Sequence, residues 1–194
     1  MPAVGRHRRV PVFRPGAGGL GPGFGPTAHG HQGLTNIAEI WSVPHEYQDE
    51  EYRIRTEAVI YYFDAEWGNA WGECLGIPRW LPIGTSPIAL KSGQRVAIDG
   101  VIVPQREQFV WDKTQIRILE ENMDLKAETV SDLGKNPQEL RDHLVSVTGL
   151  IDSELDDPTH CTINFLSGST LARAYVLKGT NSLPLHLRRA IPFA

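Results

Sequence analysis

The chain is predicted to be mostly β, built as two tandem small barrels of which the second is incomplete, each preceded by a short helix. Three observations predict this. Apolar side chains alternate with period two in several short segments, turn residues separate those segments, and Ile54 to Ile60 finds an echo in Val145 to Ile151, 91 residues further on. A length of 194 residues accommodates one domain or two modules of about 90 residues each. A hydrophobic content of 41% against 22% charged residues is that of a globular protein.

The elements follow in order. Leu34 to Val43 reads as a short helix, with Thr35 or Asn36 as its N-cap, Ile37, Ile40 and Trp41 at helical spacing, and Pro44 ending it. Arg53 to Phe63 is a strand with Ile54, Thr56, Ala58 and Ile60 on one face. It turns apolar on both faces near Val59 and Tyr61, which implies a bend or bulge at its end. Asp64 to Gly68 makes a turn and Asn69 to Leu75 a second strand. Ile77 to Ile83 makes a third, which Pro78 and Pro82 confine to edge pairing. Leu90 to Val103 points Val96, Ile98 and Ile102 inward, and Phe109 to Leu119 follows a loop. Five strands after a short helix fit a small closed barrel over residues 34–121.

A second start follows the linker Glu120 to Glu128. Val130 to Leu133 offers a cap and short helix, and His143 to Asp152 a strand with Val145, Val147 and Ile151 on one face. Cys161 to Leu166 and Leu171 to Leu177 form two more strands around the turn Ser167-Gly168-Ser169. Nothing matches the last two strands of the first copy. Residues 122–194 are therefore expected to form a truncated module whose unpaired edges invite self-association.

Residues 1–33 hold Arg6, Arg8, Arg9 and Arg14, no acid, 9 of the 19 glycines and 5 of the 14 prolines. They read as a flexible basic head or a degenerate export signal, since Arg14, prolines and glycines break the stretch where a signal is apolar. The flanks of Arg8-Arg9 do not support a twin-arginine signal. The remainder is acidic, net −6 over 34–121 and −2 over 122–194. The overall charge of −4 argues against a protein built to hold nucleic acid. No run reaches the roughly 18 apolar residues of a membrane span.

No catalytic constellation assembles, and the chain is expected to be non-enzymatic, with no metal and no cofactor. Seven histidines are scattered, and His29 with His31 supplies only two of the ligands zinc requires. His160 and Cys161 are neighbours, so on a strand they face opposite ways and do not form a base and nucleophile pair. The acidic runs Asp49-Glu50-Glu51 and Glu154, Asp156, Asp157 lack EF-hand spacing and read as solvated loops. The glycines of the head neither follow a strand nor open a helix, so no phosphate loop is present. Cys74 and Cys161 fall near equivalent strands of the two copies, and a bridge requires their Cα atoms within about 7 Å. The densest signal is aromatic: Tyr61, Tyr62, Phe63, Trp67, Trp71 and Trp80 lie within twenty residues. Either they fill a core and cover a barrel end, or the exposed ones stack on a ligand. Tyr62, Trp67, Trp71 and Trp80 are the candidate ligand-binding residues.

Gly33 to Ile40, the strand end Val59 to Asp64, the segment Leu90 to Gly100, and the second entry Val130 to Leu133 then Leu144 to Ile151 occur in an order with a precedent. Together they resemble the tandem OB-fold-like N-terminal region of some bacterial sensor histidine kinases, over about three quarters of the chain. The resemblance implies two OB-like barrels and a non-catalytic binding or sensory input role for an unidentified small ligand or protein partner. It also implies an extracytoplasmic (periplasmic) location, or a cytoplasmic one if the head is not an export signal. The kinase core is absent from this sequence, so the chain is expected to be a piece of a longer receptor or a stand-alone relative. The alternative is a single-stranded nucleic-acid-binding OB-fold protein, which the acidic charge opposes.

Overall fold

The computed structural model describes residues 33–179, and the expectations for the basic head and for the last fifteen residues lie outside that range. Within it the chain is mostly β, and its helices are short 3₁₀ turns. No helix among the described residues is long and apolar enough to cross a membrane.

The opening helix is a 3₁₀ turn, Ile37–Ser42, capped by the Asn36 side chain, which accepts from the Ala38 N–H at 2.8 Å. It buries Ile37 and Ile40 against a six-stranded antiparallel sheet. That sheet is organised by β1 (Tyr52–Asp64), whose alternation buries Ile54, Thr56, Ala58 and Ile60 and leaves Arg53, Arg55 and Glu57 in solvent. On the outer face Arg53 and Arg55 both pair with Asp99, and Arg95 pairs with Glu57. The register of β1 slips between Ile60 and Tyr62, a bulge where the sequence changes from one-faced to two-faced apolar character. The strand can therefore pair with β4 (Arg95–Val103) along its first part and with β2 (Asn69–Cys74) along its second. Gly72 sits opposite the bulge, where a Cβ would lie 2.2 Å from the Val59 carbonyl oxygen.

β3 (Ile77–Trp80) pairs with β2, and both β5 (Gln108–Phe109) and β6 (Gln115–Glu120) pair with β4. The last expected strand, Phe109 to Leu119, is thus broken in two. A 3₁₀ turn at Trp111–Lys113 interrupts it, and the Thr114 hydroxyl donates to the Val110 carbonyl at 2.8 Å while accepting from the Val101 N–H at 3.2 Å. Gly100 leaves room for this, since a Cβ there would meet Thr114 Oγ1 at 2.4 Å. The expected closure is not formed: the sheet stays open, with no pairing of β3 to β6 among the described residues. β3 is four residues long and contains Pro78, which has no N–H to donate. The core lies here, with Ile54, Ile60, Leu81, Ile83, Val96, Ile98 and Ile102 fully buried.

The second half is thinner. β7 (Glu128–Val130) and β8 (Val145–Val147) form a parallel pair, and β9 (Leu150–Asp156), β10 (His160–Ser167) and β11 (Thr170–Leu177) form an antiparallel meander. The helix expected at Val130 to Leu133 is not formed: Val130 ends β7, and bends and turns follow it. Gly134, Asn136 and Pro137 cannot propagate a helix, and the Asp132 carboxylate instead accepts from the Gly134 N–H at 2.9 Å and from the hairpin turn at Ser169. The repeated motif also pairs differently in its two copies. Ile54 to Ile60 lies in one continuous strand, whereas Val145 to Ile151 is divided between β8 and β9. The described residues nevertheless fall within one compact unit.

Candidate functional site

The site forms where the tip of the β1–β2 hairpin meets β10 and β11. At the end of β1, Asp64 closes its own turn: Oδ1 accepts the Trp67 N–H at 3.0 Å. Its other oxygen, Oδ2, accepts the Tyr62 hydroxyl at 2.9 Å and lies 2.7 Å from His160 Nε2, which comes from 96 residues away. A carboxylate only accepts, so the imidazole donates here. Both side chains are fully buried.

His160 is held from its other sides. Its backbone N–H donates to Asp157 Oδ1 at 2.6 Å, and Nδ1 faces the Thr159 hydroxyl at 2.9 Å. The Trp67 indole stacks on the ring at 3.9 Å with an 18° tilt, and the Tyr175 ring meets Trp67 edge-on at 5.0 Å. Next to this, Trp71 Nε1 donates to Asp142 Oδ1 at 3.2 Å, and its ring lies 6.1 Å from that of Tyr62.

The electrostatics follow from the geometry. Burial raises the Asp64 carboxyl, but the bonds from His160, the Trp67 N–H and Tyr62 outweigh it and hold the group below its ordinary value. Burial, and then the bond to Asp64, pushes the Tyr62 phenol well up, against an opposing bond from the Leu177 backbone. Tyr61 is raised in the same way by burial and by its bond to Glu73 at 2.7 Å.

Of the four aromatic residues predicted to bind a ligand, three converge on this joint. Tyr62 bonds to Asp64 and to the β11 backbone, Trp67 covers His160, and Trp71 bonds to Asp142. Trp80 pairs with Trp71 one strand further out, half-buried. Asp64, His160, Asp142 and Tyr175 escaped sequence reasoning. The one available signal was a histidine, His160, opening a strand directly after the turn formers Asp157, Pro158 and Thr159.

Thr159, His160 and Asp64 form a hydrogen-bonded chain of the residue types found in hydrolytic triads. The ring is buried under Trp67, both its nitrogens face side chains of this protein, and the bonds join two sheets. His160 and Cys161, successive residues of β10, fall on opposite faces of that strand. Cys74 and Cys161 are both free thiols, Cys74 buried with Sγ 3.1 Å from the Thr56 hydroxyl. Among the described residues no group of three or more His, Cys, Asp or Glu is placed to hold a metal. Glu51 pairs with Lys113, Asp156 with Lys178, and Asp157 caps the turn before His160. A shallow groove of about 650 Å3 lies elsewhere, near Thr35, Arg55, Glu57, Asp99 and Arg117 on the charged outer face.

No protein-family model matches the chain, and neither a curated protein nor a solved structure matches it.

Proposed function

We propose that the protein is a non-catalytic binding and sensory input module made of two OB-like halves, similar in role to the N-terminal region of bacterial sensor histidine kinases. The resemblance that suggests this role also implies an extracytoplasmic location. A bulged first strand pairing with both the second and the fourth, and a last strand returning to the fourth, support the OB-like reading of the first half. Such barrels are partly open and hold ligands over strands two and three and the loop between strands one and two.

One observation carries the functional reading: in this chain that surface holds the second half, through Tyr62, Trp67 and Trp71. A ligand competing for Trp67 and Trp71 would part the two halves, so binding is converted into movement. The sealed histidine supports a non-catalytic role. Fluorescence titration of the tryptophans with a single-stranded oligonucleotide, at about 50 and 200 mM salt, tests the choice of ligand class. The proposal expects no salt-dependent quenching, because the aromatic face is occupied and the first half carries net −6. Quenching that weakens with salt would reassign the chain to single-strand binding.

A further inference from the structure

A row of four side chains crosses the outer face of the first sheet. Register sets Glu57 beside Ala97 and Ala97 beside Arg117, and Leu75, directly after Cys74, the partner of Ala58, extends the row past Glu57. All four line the groove of about 650 Å3. Neighbouring strands lie about 4.8 Å apart, so Glu57 and Arg117 stand about 10 Å from each other across the small Ala97 floor. A cation, a gap, an anion and an apolar group thus follow one another along the groove. Two of the four are not accounted for by the fold. Arg53 and Arg55 pair with Asp99, and Arg95 pairs with Glu57 and Glu120, whereas Arg117 has no acid within ion-pair distance among the described residues. Its planar fork suits a carboxylate. Leu75 is 64% exposed and opens the two-residue turn between β2 and β3. Its φ of 52° and the 77° of Gly76 are both left-handed, a turn in which Asn-Gly and Gly-Gly are the favoured pairs. A leucine there neither eases the turn nor fills the core.

We infer that this groove binds a small zwitterion with an apolar side chain, either an apolar α-amino acid or a short peptide that begins with one. The ligand's carboxylate takes the Arg117 fork. Its ammonium donates to Glu57, of which Arg95 occupies only Oε2, at 2.9 Å. Its side chain covers Leu75, and Ala97 leaves room for its backbone between the two charges. A simple anion is opposed by the net −6 of this half, and a ligand that also carries an ammonium is not. Tyr62, Trp67 and Trp71 do not line the groove, so the site is separate from the joint with the second half and its failure leaves the reading above standing.

Amide chemical-shift titration of the full, isotope-labelled chain with L-leucine and with the dipeptide leucyl-alanine tests this. Saturable shifts at Glu57, Ala97 and Arg117 are expected with at least one probe, and the tighter of the two identifies the source. The amide and N-acetyl forms of that probe, each lacking one charge, should bind about tenfold more weakly or worse. Arg117→Gln, at an exposed position, should weaken binding to a similar extent and cancel the difference between the acid and its amide. Leu75→Asn separates binding from folding, because asparagine suits the turn. This variant should be at least as stable as wild type to urea and bind several-fold more weakly. The absence of shifts in the groove with both probes at millimolar concentration would overturn the inference. So would binding that Arg117→Gln and Leu75→Asn both leave unchanged.

Discussion

Replacing Asp64 with asparagine probes the joint between the two sheets with almost no change of shape. The carboxylate accepts three hydrogen bonds, two at Oδ2 from Tyr62 and His160 and one at Oδ1 from the Trp67 N–H. An amide presents one acceptor and one donor. With its oxygen toward Tyr62 and His160, its NH2 opposes the Trp67 N–H. With its oxygen toward Trp67, the NH2 opposes the Tyr62 hydroxyl and forces His160 to move its proton to Nδ1. Either orientation leaves at least one buried donor unpartnered, which costs about 1–3 kcal/mol. Loss of the charge on the acceptor beside His160 brings the total to about 3 kcal/mol, the upper end for a hydrogen bond to a charged group. In a chain of this size that lowers Tm by roughly 6–12 °C. Urea unfolding followed by both circular dichroism and tryptophan fluorescence measures it. A loss below about 0.5 kcal/mol, the range of an ordinary surface substitution, would refute the reasoning.

Further outcomes are expected. The folded Asp64 carboxyl is depressed, so its contribution is present above the unfolded carboxyl value and fades as pH falls through the lower folded one. Wild-type stability should therefore drop below about pH 4, and that part of the drop should be missing in Asp64→Asn. Tyr61 and Tyr62 are raised above 10.0, so their contribution is present below that value and lost as pH climbs through their folded values. An ultraviolet titration should show these two phenols ionising late, together with unfolding. Ile98→Ala, at a fully buried position of β4, should cost about 2–5 kcal/mol by urea denaturation. A thiol reagent should label Cys161 in the native protein and reach Cys74 only on unfolding, and fast labelling of both would contradict the burial of Cys74.

The parts of the fold that were legible in the sequence are those written in local pattern. The period-two alternation of Ile54, Thr56, Ala58 and Ile60 marked β1, and its change to two-faced apolar character marked the bulge. Asn36 marked a cap, Val96, Ile98 and Ile102 marked an inward face, and Ser167-Gly168-Ser169 marked a hairpin turn. What was missed depends on partners distant in sequence. Closure of a sheet depends on how the two edge strands curve, and the alternation of each strand does not report it. The kink at Trp111–Lys113 arises because Thr114 fits over Gly100, which no window around either residue reveals. The cap at Val130 to Leu133 looked like a helix start because Asp132 suits one, yet the Asp132 side chain is committed to Gly134 and the β10–β11 turn.

The candidate site shows the same division. The aromatic cluster was visible by density alone, and three of its members do meet at one place. Their immediate partners, His160, Asp142 and Tyr175, lie some seventy to more than a hundred residues downstream, with no spacing rule to connect them. Asp64 read as an ordinary turn residue because the turn is its local role; its second oxygen, aimed at a histidine in another sheet, has no local signature.

The central claim is that the aromatic tip of the first half is clasped to β10 and β11 of the second. Proton NMR of the native chain tests it most directly, through cross-relaxation between the indole of Trp67 and the rings of His160 and Tyr175. With ring centroids 3.9 and 5.0 Å apart, strong cross-peaks to both are predicted, lost in Asp64→Asn wherever the joint opens. A folded protein whose Trp67 indole shows cross-peaks to neither ring would contradict the account.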